Sequence, residues 1–408
     1  MNNKSTFQLV LSILFLAIIY ILSVASDPSL GDSLIFTIQG YHGFSFDSNA
    51  TNHLLFSNFL AFIHILLPFI NVHFLFVGVS ILSGLLFLFY LQKLLEISEV
   101  SSRSSILCIL LMGLSFTFWR QSIITEVYTF YLLFVVLFLI HVFKFIQEKK
   151  SKHFYRVSFF FGLLFLIHIQ TILFIPLYCY LIFKNSKTLK NHLLYGLLIT
   201  IGLFLVLLIP PLLGHHSFIA IFTNPDYTES IFNLDLKVIS KSILKNSGIL
   251  IYNFLFFIIF IFWGFKNKKL LDYFIVGALP FIAFCIKHNV SDIYVFHLVL
   301  YIFILILIGR GLDRFPKIYV VAPLILPLIY FLSYKIVKET PTGEQLEKEK
   351  EYKGGVRYML FPPLNKNPDL NYFIIKYKED SLYKDPFLKS LYSDVIEWEK
   401  IKNNYSKK

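Results

Sequence analysis

Charge is what this 408-residue chain has least of: Asp, Glu, Lys and Arg make up 15% of it, against 56% hydrophobic and 18% aromatic residues. Soluble domains carry about 25% charge, and a mean hydropathy of +0.68 excludes such a domain here. Cysteine is nearly missing. Cys108, Cys179 and Cys285 lie in apolar runs without CxxC or Cys/His spacing, which argues for packed thiols over a disulfide or metal site. No P-loop, nucleotide-binding glycine pattern or Gly-x-Ser-x-Gly elbow occurs. The polar/apolar alternation of a membrane barrel is absent too. Acidic residues are outnumbered, giving a formal charge of +12. The excess Lys and Arg sit in short loops between apolar runs, where they set membrane orientation and do not indicate a nucleic-acid partner.

What the chain has is a series of apolar runs, each long enough to cross about 30 Å of hydrocarbon as a helix. They predict an all-α polytopic membrane protein with about 11 transmembrane helices. The expected spans are 7–25, 72–91, 105–118, 128–145, 155–167, 172–183, 192–213, 249–265, 270–286, one ending at 308, and 318–337. The first run ends in Ser23-Val24-Ala25, which resembles a signal-peptidase site, but an uncleaved first span keeps the remaining topology consistent. Residues 26–52 contain Asp27, Asp32 and Asp47 and no Lys or Arg, so they are placed outside and the N-terminus in the cytoplasm. Residues 53–70 are apolar but interrupted by Ser57, Asn58, His64 and Pro68, and read as an interfacial helix. A polar outer loop is expected over 214–247. The division is a transmembrane domain over 1–337 and an ordered extracytoplasmic appendage or tail over 338–408, where Glu and Lys interleave with aromatics and Pro-Pro. Asn49-Ala50-Thr51, Asn289-Val290-Ser291 and Asn404-Tyr405-Ser406 fit a short glycosylation pattern of low specificity.

The stretch SFTFWRQSIITEVYTF, from Ser115 to Phe130, is the chemical centre of the sequence, with Arg120, Gln121, Thr125 and Glu126 between two spans. Ionisable groups at such a place are functional candidates. Glu126 also suits the start of a helix, where a negative side chain is favourable without any catalytic purpose. Asp32 follows Gly31 just beyond the first span, where it reads either as a base facing an acceptor hydroxyl or as a loop residue or cap. His168 lies in a largely apolar hairpin, where packing is the common role, and Asp292 can cap the span that follows it. The loop-charge scheme puts all four on one face. His42, His53, His64 and His73 lack metal-ligand spacing, and the adjacent His215 and His216 diverge, so no metal site and no cofactor is expected.

FWRQSIITEVYTFYLLF, residues 118–134, resembles the Phe-Trp…Glu-Val-Tyr signature of the bacterial relatives of the eukaryotic IPT/TIG-domain protein O-mannosyltransferases, which are glycosyltransferases of the GT-C class. Gly31-Asp32-Ser33 resembles the family's first-loop Gly-Asp-Ser. His53 with the interfacial helix that follows, GLLFLIHIQTILFIP around His168, and VSDIYVFHLVLYIFILILIGRGL after Val290 agree with further family segments in order. The chain departs from the pattern at Leu34-Ile35, at Leu54-Leu55-Phe56 and at Arg120, which leaves the substrate open.

The resemblance implies a GT-C-like bundle in the cell inner (plasma) membrane with an active site on the extracytoplasmic face. The donor would be a polyprenyl-phosphate sugar, mannose being the family example, and the acceptor a hydroxyl on a protein, lipid or glycan. Asp32 would be the base and Glu126 would orient acceptor or base, with inversion at the anomeric carbon. His53, His168 and Asp292 would contact substrate by their place in matched motifs. Arg120 and Lys287 are candidates on chemistry alone, since a leaving phosphate needs positive charge. A transporter or lipid flippase, with ionisable groups on broken helices, and an inactive scaffold of the same fold are the alternatives.

Overall fold

The computed structural model describes residues 3–46, 53–186, 189–215, 235–265, 268–288, 292–315, 317–379 and 386–406. Asp47, the sequons at Asn49 and Asn289, His216 and Lys266 lie outside the described residues. Among the described residues there are helices and no strands. Helix α1 (Asn3–Ser23) leads through α2 (Asp32–His42) and α3 (Leu54–Leu66) to α4 (Val72–Ile97). A bent pair follows, α5 (Ser102–Leu114) and α6 (Phe116–Ser122), and then α7 (Val127–Glu148) and α8 (Ser151–Phe165). A 3-10 turn over Ile169–Phe174 runs into α9 (Ile175–Asn185). The apolar part is completed by α10 (Lys190–Phe204), α11 (Leu236–Phe254), α12 (Lys268–Lys287), the single turn α13 (Ile293–Phe296), α14 (Leu298–Leu312) and α15 (Ile325–Lys338). The appendage is helical as well, with α16 (Pro341–Glu349), α17 (Gly355–Leu360), α18 (Leu370–Glu379) and α19 (Pro386–Ser406).

Five helical runs, Ser5–Ser23, Val72–Ile97, Val127–Glu148, Lys190–Leu212 and Leu236–Gly264, are long and apolar enough to cross a membrane, and the bent α5–α6 pair makes up to six. The chain is therefore a polytopic helical membrane protein. With 13 residues, α3 covers about 20 Å at 1.5 Å per residue, short of a roughly 30 Å hydrocarbon core. One boundary differs from the sequence expectation. Residues 236–247 are helical, although they read as part of a polar loop. Two of their polar side chains face inward: Ser242 and Asn246 are buried, and the Asn246 Nδ2 donates to the Cys285 carbonyl at 2.9 Å.

The bend between α5 and α6 is 66° and has an identifiable cause. Ser115 is extended, at φ −61° and ψ 140°, so the helical ladder is interrupted and its freed groups need partners. The Phe116 N–H donates to the Tyr330 hydroxyl at 2.9 Å and the Thr117 N–H to Asn253 Oδ1 at 2.9 Å. The released Gly113 carbonyl accepts from the Tyr20 hydroxyl at 2.7 Å. Gly113 is glycine for a steric reason, since a Cβ there would come within 2.4 Å of the Leu16 side chain. Three distant elements thus hold α6 at its angle, and α6 carries Arg120.

The bundle has two chemically different ends. At one, Lys93, Lys144, Lys152 and Arg156 gather, the Arg310 Nε donates to the Ser98 carbonyl at 2.8 Å, and Ser101 bonds Asp313. The other end gathers α2, the turn between α6 and α7, the His168 turn and the appendage. There the Leu364 N–H donates to the Ser23 carbonyl at 2.8 Å, and the Tyr252 hydroxyl to the Leu360 carbonyl at 2.7 Å. Asp27, 4% exposed, accepts from Trp398 Nε1 at 3.1 Å and pairs with Lys402 at 2.9 Å.

Candidate active site

Gly31 sits at φ 104°, a backbone region that residues with a Cβ avoid, and this turn starts α2 with Asp32 as its first residue. A carboxylate at that position is favoured by the helix dipole. The next residue docks the turn: Ser33 Oγ accepts the Thr125 N–H at 3.2 Å. Ser80 Oγ of α4 meets the Glu126 N–H at 3.4 Å. The Thr-Glu-Val-Tyr turn is thereby tied to α2 and α4, with Asp32 and Glu126 on adjoining segments.

Glu126 is the N-cap residue of α7, extended at φ −144° and ψ 149°, yet its side chain makes no capping bond. Asp292 holds the same place before α13, also without a side-chain cap. Neither carboxylate is used up by helix capping. Asp32 and Asp292 are exposed and Glu126 is half-buried. Desolvation raises all three carboxyls above the ordinary carboxylate range, and the charge of Asp32 raises Glu126 and Asp292 further. The Asp292 charge acts on Glu126 as well, and Lys245 offsets the rise at Asp292. Like charges in one cleft do not ionise together. Glu126, which feels burial and the charges of both Asp32 and Asp292, is raised well above the usual carboxylate range. Among the described residues no three His, Cys, Asp or Glu side chains come close enough to hold a metal ion.

His53 and His168 form one wall. Their ring centroids are 5.0 Å apart, and Tyr128 and Tyr131 lie 5.5 and 5.2 Å from the His168 ring. His53 Nδ1 is 3.0 Å from the Ile167 carbonyl, which only accepts, so this nitrogen carries the proton. His168 Nδ1 accepts the Gln170 N–H at 3.0 Å, so its proton is on Nε2. These tautomers follow from the hydrogen bonds, and the two rings present opposite polarity. Burial lowers both, His53 to about 4, and holds them neutral. The Gln170 Nε2 donates to the Phe296 carbonyl at 2.9 Å, which joins this wall to the segment carrying Asp292. Among the described residues the buried Thr125 Oγ1 and Gln121 Oε1 have no protein partner, leaving polar capacity at the turn for water or ligand.

Arg120 is 5% exposed and largely committed. Its Nε donates to the Pro362 carbonyl at 3.1 Å and its Nη2 to the Tyr358 and Phe361 carbonyls at 2.7 Å each, with the guanidinium over the Phe116 and Tyr358 rings. It anchors the strap after α17 to α6. Lys287, half-buried, ends α12. Sequence reasoning missed two members of the site: Lys245, which acts on Asp292, and Tyr294, whose electrostatic neighbours are Tyr358, Arg120, Asp292 and Glu126. Tyr294 stands two positions after Asp292, which was the available signal; Lys245, in the stretch read as loop, offered none.

Asp32 and Glu126, whose charges act on one another, and the buried pair His53 and His168 thus gather at the same end of the bundle. The comparison with known families bears on the same segment. Residues 52–212 match the family model described as dolichyl-phosphate-mannose-protein mannosyltransferase. This stretch, less than half of the chain, takes in His53, Arg120, Glu126 and His168; Asp32 precedes it, and Lys287 and Asp292 follow it. The match supports a membrane glycosyltransferase of the GT-C type with a polyprenyl-phosphate sugar donor. No curated protein and no solved structure matches the chain.

Proposed function

We propose that the chain transfers a sugar from a polyprenyl-phosphate donor to a hydroxyl acceptor in the cleft between Asp32 and Glu126. The observation that carries this is the docking of Gly31-Asp32-Ser33 onto the Thr125-Glu126 turn, inside or beside the segment that matches a glycosyltransferase family. Asp32 takes the acceptor proton as the acceptor oxygen attacks the anomeric carbon. The bond from that carbon to the phosphate oxygen breaks, its electron pair leaves with the polyprenyl phosphate, and the configuration inverts. Protonated Glu126 donates a hydrogen bond that orients the acceptor. His53, His168 and Asp292 line the substrate space. The remaining Arg120 donor and Lys287 are candidates for the leaving phosphate, whose developing charge needs fixed donors. The sugar is mannose or another hexose; the acceptor is a protein, lipid or glycan.

The same reading places the protein in the plasma membrane with the shorter apolar helices completing about 11 crossings, the basic end in the cytoplasm, and residues 338–408 as an extracytoplasmic appendage to the domain over 1–337. The supporting observation is the gathering of Lys93, Lys144, Lys152 and Arg156 at the end opposite the carboxylates. The test is transfer of radiolabelled sugar from a short-chain polyprenyl phosphate by purified protein, compared between wild type and Asp32→Asn.

A further inference from the structure

The end of α15 and the appendage enclose a second cleft of about 310 Å3, the size of a small-ligand site. Helix α17 contributes to both regions: its Arg357 lines this cleft, while its Tyr358 carbonyl holds Arg120. Lys335, Lys338 and Lys366 supply further positive charge. The two carboxylates in the lining are already engaged. Glu347 pairs with Lys338 at 3.1 Å and accepts the Val356 N–H at 2.8 Å. Glu351 pairs with Lys376 at 3.0 Å and accepts from the Tyr372 hydroxyl.

What is left is an excess of cationic donors. Arg357 gives Nη1 to Asn367 at 2.6 Å. Lys335 lies over the Phe331 and Tyr334 rings, 5.9 and 5.3 Å from their centroids. Among the described residues neither Lys335 nor Lys366 has a carboxylate partner. A helix C-terminus accounts for Lys335 and Lys338, which sit in the last turn of α15. It does not account for Arg357 and Lys366, which arrive from two other segments. Cations converging from three segments raise the local concentration of an anion that fills the space between them. Lys335 and Lys338 follow the apolar stretch of α15, so on the topology proposed above the anion is met at the extracytoplasmic surface of the bilayer.

We propose that this cleft binds a phosphate group at the membrane surface, carried by a lipid headgroup or by a soluble phosphoester. The recognition is charge-assisted and involves Lys335, Lys366 and the free edge of Arg357. It is independent of sugar transfer, so binding is its readout and an inactive preparation still tests it.

The experiment measures the thermal midpoint of the full chain in neutral detergent at low salt, where ligand binding to the folded state raises it. One arm titrates phosphatidylglycerol against phosphatidylcholine in mixed micelles. The other titrates inorganic pyrophosphate against sodium chloride at matched ionic strength. A rise with phosphatidylglycerol alone assigns the phosphate to a headgroup, and one with pyrophosphate alone to a soluble phosphoester. The Lys335→Gln/Lys366→Gln protein, which loses no ion pair within the fold, is expected to bind the effective probe about tenfold more weakly, with a shallower salt dependence. No rise beyond the controls in either arm, or equal binding by wild type and the double variant, overturns the proposal.

Discussion

The Ser33 hydroxyl accepts the Thr125 N–H across 92 positions of sequence, at 3.2 Å, and this contact sets where Asp32 stands relative to Glu126. Gly31 supplies the turn, α2 supplies the direction, and Ser33 fixes the distance. Ser33→Ala leaves Asp32 in the chain but strands a buried N–H, which costs about 1–3 kcal/mol. The expected outcome is a lowered thermal midpoint and reduced turnover, both largely restored by Ser33→Thr, which keeps the hydroxyl.

Glu126 gives a pH prediction of opposite sign to the usual surface carboxylate. Its folded-state pKa lies above the ordinary value because of burial and the Asp32 and Asp292 charges. The folded protein therefore holds a proton that the unfolded chain gives up, and the stability linked to it is present at low pH and lost as pH rises through the folded pKa. Glu126→Gln mimics the protonated form. Its thermal midpoint should exceed that of wild type at pH 8 and approach it as pH falls toward 4.5, as followed by differential scanning fluorimetry. Turnover at pH 7 should survive Glu126→Gln far better than Glu126→Ala, since the amide still donates a hydrogen bond.

Arg120 joins α6 to the strap after α17 through three backbone carbonyls. Arg120→Ala leaves those carbonyls without their charged donor, costing about 2–4 kcal/mol. Arg120→Lys should not rescue it, because one ammonium cannot span three acceptors held in a guanidinium's plane. Limited proteolysis beyond residue 338 should be faster in both variants than in wild type; unchanged cleavage would mean that Arg120 does not hold the strap.

Asp27 makes the corresponding link to α19. It is buried, and it meets Lys402, Trp398 Nε1 and the Leu370 N–H together. Asp27→Ala should destabilise the fold by about 2–3 kcal/mol, reduced from the fully buried case because Lys402 is a third exposed. A double-mutant cycle with Lys402→Gln should show coupling between the two sites, and independent effects would contradict the ion pair's contribution.

The membrane class and the grouping of Asp32, Glu126, His168 and Asp292 were legible because both depend on local signals. Apolar run length marks helices, and a carboxylate or histidine at the edge of such a run stands out. The pairing of His53 with His168 was half legible, each residue opening a recognisable segment. Arg120 was visible as a charge in an apolar stretch, but its partners are carbonyls about 240 positions away, and carbonyls carry no residue identity in a sequence. Asp27 read as an ordinary loop acid for the same reason, its partners lying at the far end of the chain. The α5–α6 bend escaped because Ser115 is a weak breaker by itself; Tyr20, Asn253 and Tyr330 from three other helices make the bend stable. Residues 236–247 looked like loop because polar side chains occur on both faces of this helix, Ser242 and Asn246 buried and Lys237, Ser240, Lys241 and Lys245 exposed, which masks the helical period.

The most direct test concerns Asp32 as the base. Asp32→Asn preserves size and some hydrogen bonding but cannot accept the acceptor's proton, so turnover from a polyprenyl-phosphate sugar should fall by about a hundredfold or more, with donor affinity kept within a fewfold. The assay is sugar transfer by folded, membrane-inserted protein, run beside a donor-binding measurement on the same preparation. Transfer at the wild-type rate by Asp32→Asn would contradict the assignment of Asp32, and with it the cleft between Asp32 and Glu126 as the site of reaction.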